Sequence, residues 1–237
     1  MMRVSRLIAA VCFLFVTGLV VTASAADVAA TTKLIPREAF AAGVLDVDEL
    51  RKSPLFKDGL EAFLGQAPRP IREKLEELKT RTGFDVEKHV HSLAFGLTPE
   101  FVTDEDNFVV IAEATIDEAK TVAFMRAEGA KLEMRIGTFG RYYVIGERKE
   151  GAIAFTGTHV VVGSVTPFMS AMTKKGPDQG LAFALAKHKG KTGSVAALPP
   201  PEVRKKMGEA KNVTAASAGI DVKSGLSFDA SVTFADA

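Results

Sequence analysis

The sequence predicts an α+β protein: an antiparallel sheet, curved, as one sheet or two related ones, with helices packed on one side. Three observations carry this. Apolar residues recur at every second position in Phe108–Ile116 and again in Leu226–Phe234, the spacing of a half-buried strand. Elsewhere the period lengthens to that of a helix, as at Ile71, Leu75 and Leu78. Between these regimes lies a run of short strand-like segments parted by turn residues, which reads as a meander.

The first element is a leader. Arg3 and Arg6 precede an apolar run from Leu7 to Val21, and Ala23-Ser24-Ala25 supplies the small residues of a cleavage site. The run is shorter than the roughly 20 residues that span a membrane. Residues 1–25 therefore read as a signal peptide and 26–237 as a single exported domain, secreted or periplasmic, that begins at Ala26 or Asp27 and has no membrane span of its own. Asp27 to Lys33 reads as a flexible lead-in.

Ser53-Pro54 is a cap followed by proline at the first helical position, and Phe56, Leu60, Phe63 and Leu64 complete a helix. The segment "GQAPRP" (Gly65–Pro70) breaks it, and a second helix runs until Gly83. His91–Thr98 and Phe108–Ile116 are strands joined by the acidic loop Thr103–Asn107. Asp117 caps a helix that runs to about Gly129. Leu132–Gly137, Arg141–Glu147, Ala152–Thr156 and Val160–Val165 make the meander, with Gly157-Thr158 as a two-residue turn. Thr166-Pro167 starts another helix, and Leu181–Lys187 is a further short one. A strand at Gly193–Leu198 is stopped by Pro199-Pro200-Pro201, Glu202–Met207 reads as a helix, and Val213–Val222 with Leu226–Phe234 closes the chain as a hairpin.

That hairpin echoes an earlier one. Phe108, Val110, Ala112, Ala114 and Ile116 match Leu226, Phe228, Ala230, Val232 and Phe234 at a constant offset, and "LAFGL" (Leu93–Leu97) matches "ASAGI" (Ala216–Ile220). A partial internal repeat follows, about 84–190 and 191–237. The segments "LIPREAF", "LDVDELRKSPLF", "GFDVEKHVHSLAFGL" and the "YYVIGE…HVVVGS" meander together resemble a group of exported bacterial proteins, of the domain-of-unknown-function kind, built from duplicated α+β units. The resemblance implies a fold class and an exported location. It brings no catalytic motif.

Composition excludes several function classes. The only cysteine, Cys12, lies in the leader, so the mature chain has no disulfide, zinc–thiolate site or cysteine nucleophile. Losing Arg3 and Arg6 takes the formal charge from +1 to −1, which argues against a nucleic-acid surface. His89 and His91 could share a metal with Glu87 if both faced one side of a strand, but they straddle an element boundary. His159 and His188 have no partner that sequence identifies. "HKGKTGS" (His188–Ser194) imitates a phosphate loop, yet Leu185 stands where the first glycine is required. Asp46, Asp48, Asp85 and Asp117 precede helical stretches and read as caps. Tyr142 and Tyr143, beside Arg141, read as cross-strand packing. We therefore assign no catalytic residue, cofactor or metal.

The expected function is a non-enzymatic binding or structural module of the bacterial cell envelope. The alternatives are an exported metal-dependent hydrolase using His89 and His91, and a carrier of an apolar ligand. The strand Leu226–Phe234 is expected to be integral to the sheet and covered on its apolar face. A helix at Glu202–Met207 covering it gives a monomer, which is favoured over a homodimer formed through this region.

Overall fold

A computed structural model describes residues 28–54, 56, 69–148, 150–174, 176–223 and 225–235. The leader, and the helix expected through Leu60, Phe63 and Leu64, lie outside these residues. The strands are β1 (Ala41–Asp46), β2 (Val90–Leu97), β3 (Phe108–Ala114), β4 (Leu132–Gly137), β5 (Gly140–Ile145), β6 (Gly151–Thr156), β7 (His159–Ser164), β8 (Gly193–Ala197), β9 (Val213–Asp221) and β10 (Ser227–Phe234). They form one ten-stranded sheet in the order β10-β9-β8-β1-β2-β3-β7-β6-β5-β4. All neighbours pair antiparallel. The fold is α+β with a single open sheet.

The helices are α1 (Val28–Thr32), α2 (Val47–Lys52), α3 (Arg69–Thr82), α4 (Val86–His89), α5 (Glu118–Ala127), α6 (Val165–Thr173), α7 (Gln179–Ala186) and α8 (Pro201–Arg204). Strand alternation sends Val44 and Leu45 to opposite faces, and each joins a different core. Val44, Ile111 and Val161 pack with Ile35, Phe168 of α6 and Leu181 of α7 in the larger one. On the other face the cover is local. Leu45 packs with Val90 and Ala114, and Val122 of α5 packs with Tyr143 and Ile153.

Caps fall where short acidic side chains precede apolar runs. The carboxylates of Asp46, Asp85 and Asp117 accept the N–H of Glu49, Glu87 and Lys120, each satisfying a donor that the first turn leaves free. Asp48 does not cap; it pairs with Arg51 and His91. The β6–β7 turn uses Gly157 at φ 67°, a conformation a Cβ would penalise.

Two expectations are corrected. The lead-in is ordered, because α1 delivers the Thr31 hydroxyl to Ser92 and His159 and leaves Thr31 fully buried. The helix at Glu202–Met207 is a single turn, α8, followed by a turn and a 3₁₀ segment at Gly208–Asn212, so it does not cover the terminal strand. On β10, Phe228 is 64% exposed, Val232 51% and Phe234 62%.

The strand order is symmetric about the β1–β8 pair: β1-β2-β3 runs outward on one side and β8-β9-β10 on the other. The symmetry ends at the third strand. β3 continues into β7, whereas β10 is an edge.

Candidate functional site

The histidines that sequence brought forward do not converge. His89 ends α4, where its Nδ1 accepts the Asp85 N–H at 2.9 Å and its ring stacks on Phe84. His91 lies on β2 and turns Nδ1 to the Asp48 carboxylate at 3.0 Å. Glu87 contributes its backbone carbonyl to Arg51, which also donates to the Val90 carbonyl. The element boundary thus separates the pair. Among the described residues no three His, Cys, Asp or Glu side chains are grouped to hold a metal.

His159 belongs to a polar chain beneath α1. Thr31 Oγ1 lies 3.2 Å from His159 Nε2 and 2.8 Å from Ser92 Oγ, and Ser92 Oγ donates to Glu113 Oε2 at 3.1 Å. Serine, histidine and glutamate are the residue types of a hydrolytic triad. Here, however, the Thr31 hydroxyl stands between histidine and serine, and Ser92 is 2% exposed. The arrangement satisfies buried hydroxyls and fastens α1 to the sheet.

His188 is the histidine with the most unusual setting. It follows α7 and its ring lies over Gly219 of β9, where an added Cβ would come within 2.7 Å of Nδ1. Its Nδ1 meets Asp229 Oδ1 at 2.5 Å, and Lys191 Nζ meets Asp229 Oδ2 at 3.0 Å. The Lys191 ammonium, helped by His188, holds the Asp229 carboxyl below the ordinary aspartate range against the effect of burial. His188 Nε2 is buried without a hydrogen-bond partner among the described residues. Sequence gave no signal for this, because His188 and Asp229 meet only when β9 lies beneath α7 and pairs with β10.

Asp229 therefore faces the helix layer, and alternation turns Phe228, Val232 and Phe234 to the other face. Register aligns them with smaller apolar residues: Gly193, Ile220 and Phe228 form one cross-strand row, Val195, Ala218 and Ala230 the next, and Ala197, Ala216 and Val232 a third. Among the described residues, Leu226, Phe228, Val232 and Phe234 gather exposed apolar side chains at this end of the sheet, as Met134 and Ile136 do on β4 at the other. By contrast, the tyrosine hairpin is packed. Tyr142 lies 5.7 Å from Phe168, and the Tyr143 hydroxyl donates to Glu118. Burial, with Glu118, pushes Tyr143 above the usual phenol value. The His188–Ser194 stretch runs from helix into strand, opposite to a phosphate loop.

The molecule thus belongs to the single-sheet α+β class, with an ionic latch on one face of its terminal strands and apolar rows on the other that are half-buried on β8 and β9 and exposed on β10. No family model and no curated protein matches the chain. Solved structures do. Crystal form III of TP0453 matches with a TM-score of 0.53 at 10% identity, over 87% of this chain and 80% of that one. Crystal form I gives 0.51 at 10%, over 91% and 81%. Likeness at this identity is one of fold. Among the described residues no helix is long and apolar enough to cross a membrane.

Proposed function

We propose that this protein is an exported, non-enzymatic binding module of the bacterial cell envelope, and that the β8–β10 wing is its binding element. One observation carries the reading: the polar side chains that sequence could offer for chemistry are engaged in capping and latching, while Phe228, Val232 and Phe234 remain largely exposed in register with half-buried neighbours. An apolar patch of this kind marks an interaction site. The leader at residues 1–25 supports export, and the fold likeness to TP0453 is compatible with the reading. A hydrolase using His89 and His91 is the weaker alternative, since each ring already has its own partner.

The test is photo-crosslinking in the native host. A photoreactive residue at position 228 should trap a discrete adduct in the envelope fraction. The same residue at position 136, on the opposite edge strand, should not. Absence of an adduct from 228, or recovery of the protein from the cytoplasm, removes the reading.

A further inference from the structure

The wing ends in a free strand, and the composition of that strand specifies an occupant. β3, the counterpart of β10 in the symmetric order, is flanked by antiparallel strands on both sides, whereas among the described residues β10 pairs with β9 alone. An edge strand leaves backbone N–H and C=O groups for another chain unless charge or a bulge guards it; the one register shift in the β9–β10 ladder, between Thr233 and Phe234, places the extra residue, Thr214, on β9 and leaves β10 itself without an inserted residue. The opposite edge is guarded: β4 carries Glu133 and Arg135, paired to each other at 2.9 Å. Within β10 the only charged residue is Asp229, and it is held inward by His188 and Lys191.

The sequence of β10 is also nearly symmetric in side-chain type about Ser231. Phe228 mirrors Phe234, Asp229 mirrors Thr233, and Ala230 mirrors Val232. Laid antiparallel on a second β10 with the two Ser231 residues opposed, each phenylalanine meets a phenylalanine and Ala230 meets Val232. Aromatic cross-strand pairs of this kind are favourable. Each Asp229 meets a threonine rather than its own copy, so no like charges are opposed.

We propose that the occupant is a second copy of this chain, paired β10 to β10 across a two-fold axis at Ser231, so that two ten-stranded sheets become one. This rests on the wing being the binding element and names its partner. A two-fold interface is self-complementary by construction, which the symmetry of β10 fulfils. The arrangement in which Glu202–Met207 covers the strand within one chain is the one the structure removes.

The experiment uses residues 26–237, which contain no cysteine, so an introduced thiol is unique. Sedimentation equilibrium at micromolar concentrations should report a dimer. Ser231→Cys should form a disulfide-linked dimer on mild oxidation, because the thiols face each other. Thr233→Cys should not, since position 233 faces 229. Val232→Lys, which places on the edge the charge that natural edges use, should weaken the dimer by about tenfold or more in Kd without lowering the monomer's thermal midpoint. A monomer at high micromolar concentration overturns the proposal. So does equal crosslinking through 231 and 233, or a ladder of higher species, which indicates head-to-tail pairing of different edges. A monomer that still yields a position-228 adduct with another envelope component overturns the dimer and leaves the binding wing standing.

Discussion

Two glycines show how closely backbone and side chain are fitted. At Gly219 an added Cβ would press on the His188 ring and Cβ at 2.7–2.8 Å, and the ring has somewhere to move only by loosening its contact with Asp229. At Gly163 the added Cβ would meet the Phe108 carbonyl oxygen at 2.3 Å, which is the backbone of the neighbouring strand β3. Overpacking against a side chain typically destabilises by about 1–3 kcal/mol. Gly219→Ala should fall in that range, and Gly163→Ala should lose more, as read from chemical denaturation of both. Equal losses would mean that the His188 ring is as immovable as a strand.

Asp229 adds a pH dependence. Its carboxyl is held below its ordinary value, chiefly by Lys191, so ionisation favours the folded state. The contribution is present above the unfolded value of about 3.9 and is lost as pH falls from there through the lower folded value. Asp229→Asn should therefore melt below the wild type at pH 7, and the gap should close as pH falls below about 4. A gap unchanged down to pH 3 would show that the carboxylate's charge is not what holds β10 to His188.

At the scale of elements, α2 depends on the residue just before it. Asp46 caps it through the Glu49 N–H at 2.7 Å while being 3% exposed, and burial, opposed by that bond, raises its carboxyl above the ordinary value. The cap stabilises and the buried charge opposes it. Asp46→Ala should cost about 1 kcal/mol, whereas Asp46→Asn keeps the accepting oxygen and should lose less. Because the folded value is raised, wild-type stability relative to the asparagine variant should fall as pH rises through about 4 and beyond. Parallel melts at pH 3.5 and 7 check this.

The elements that sequence made legible are those with a clear period or cap. The β2–β3 and β9–β10 hairpins, α5 after Asp117 and the β4–β7 meander all lie where alternation or capping placed them. β1 was not legible. Its stretch "AAGVLD" is buried at five of six positions, so it shows no alternation, as expected for a strand covered on both faces. α1 was missed for a related reason: nothing local in "VAATT" shows that Thr31 bonds to Ser92 and His159. The latch was equally invisible, because His188, Gly219 and Asp229 come from three separate segments. The alternation in β10 was visible, but it told only that an apolar face existed, and not that its large side chains stay exposed among the described residues.

For the whole molecule, the exposure of β10 lowers what that strand contributes. Five apolar side chains buried on one face would each add roughly 1.5–3 kcal/mol for the larger ones. With Phe228 at 64%, Val232 at 51% and Phe234 at 62% exposed, most of that gain is not realised within one chain. What remains is the β9 ladder and the Asp229 latch. A protein ending at Gly225 should therefore fold with a lower midpoint but a single cooperative transition, and sediment as a monomer. Complete loss of the transition would mean that β10 anchors the core more strongly than its exposure indicates.

The pairing of β1 with β8 has a consequence in time. Leu45 sits opposite Gly193 and Ala41 opposite Ala197, so the middle of the sheet closes only when segments about 150 positions apart in the chain meet, a separation that slows folding. Until β8 has been synthesised, β1 can pair with β2 alone, and the first four-fifths of the protein must wait with one side of its central strand open. A chain halted at residue 190 should accordingly show strand content without a sharp melting transition, and the complete chain should refold slowly from denaturant in one concerted step. Under the export proposed for this protein, a sheet completed last from its far end would keep the chain threadable during passage.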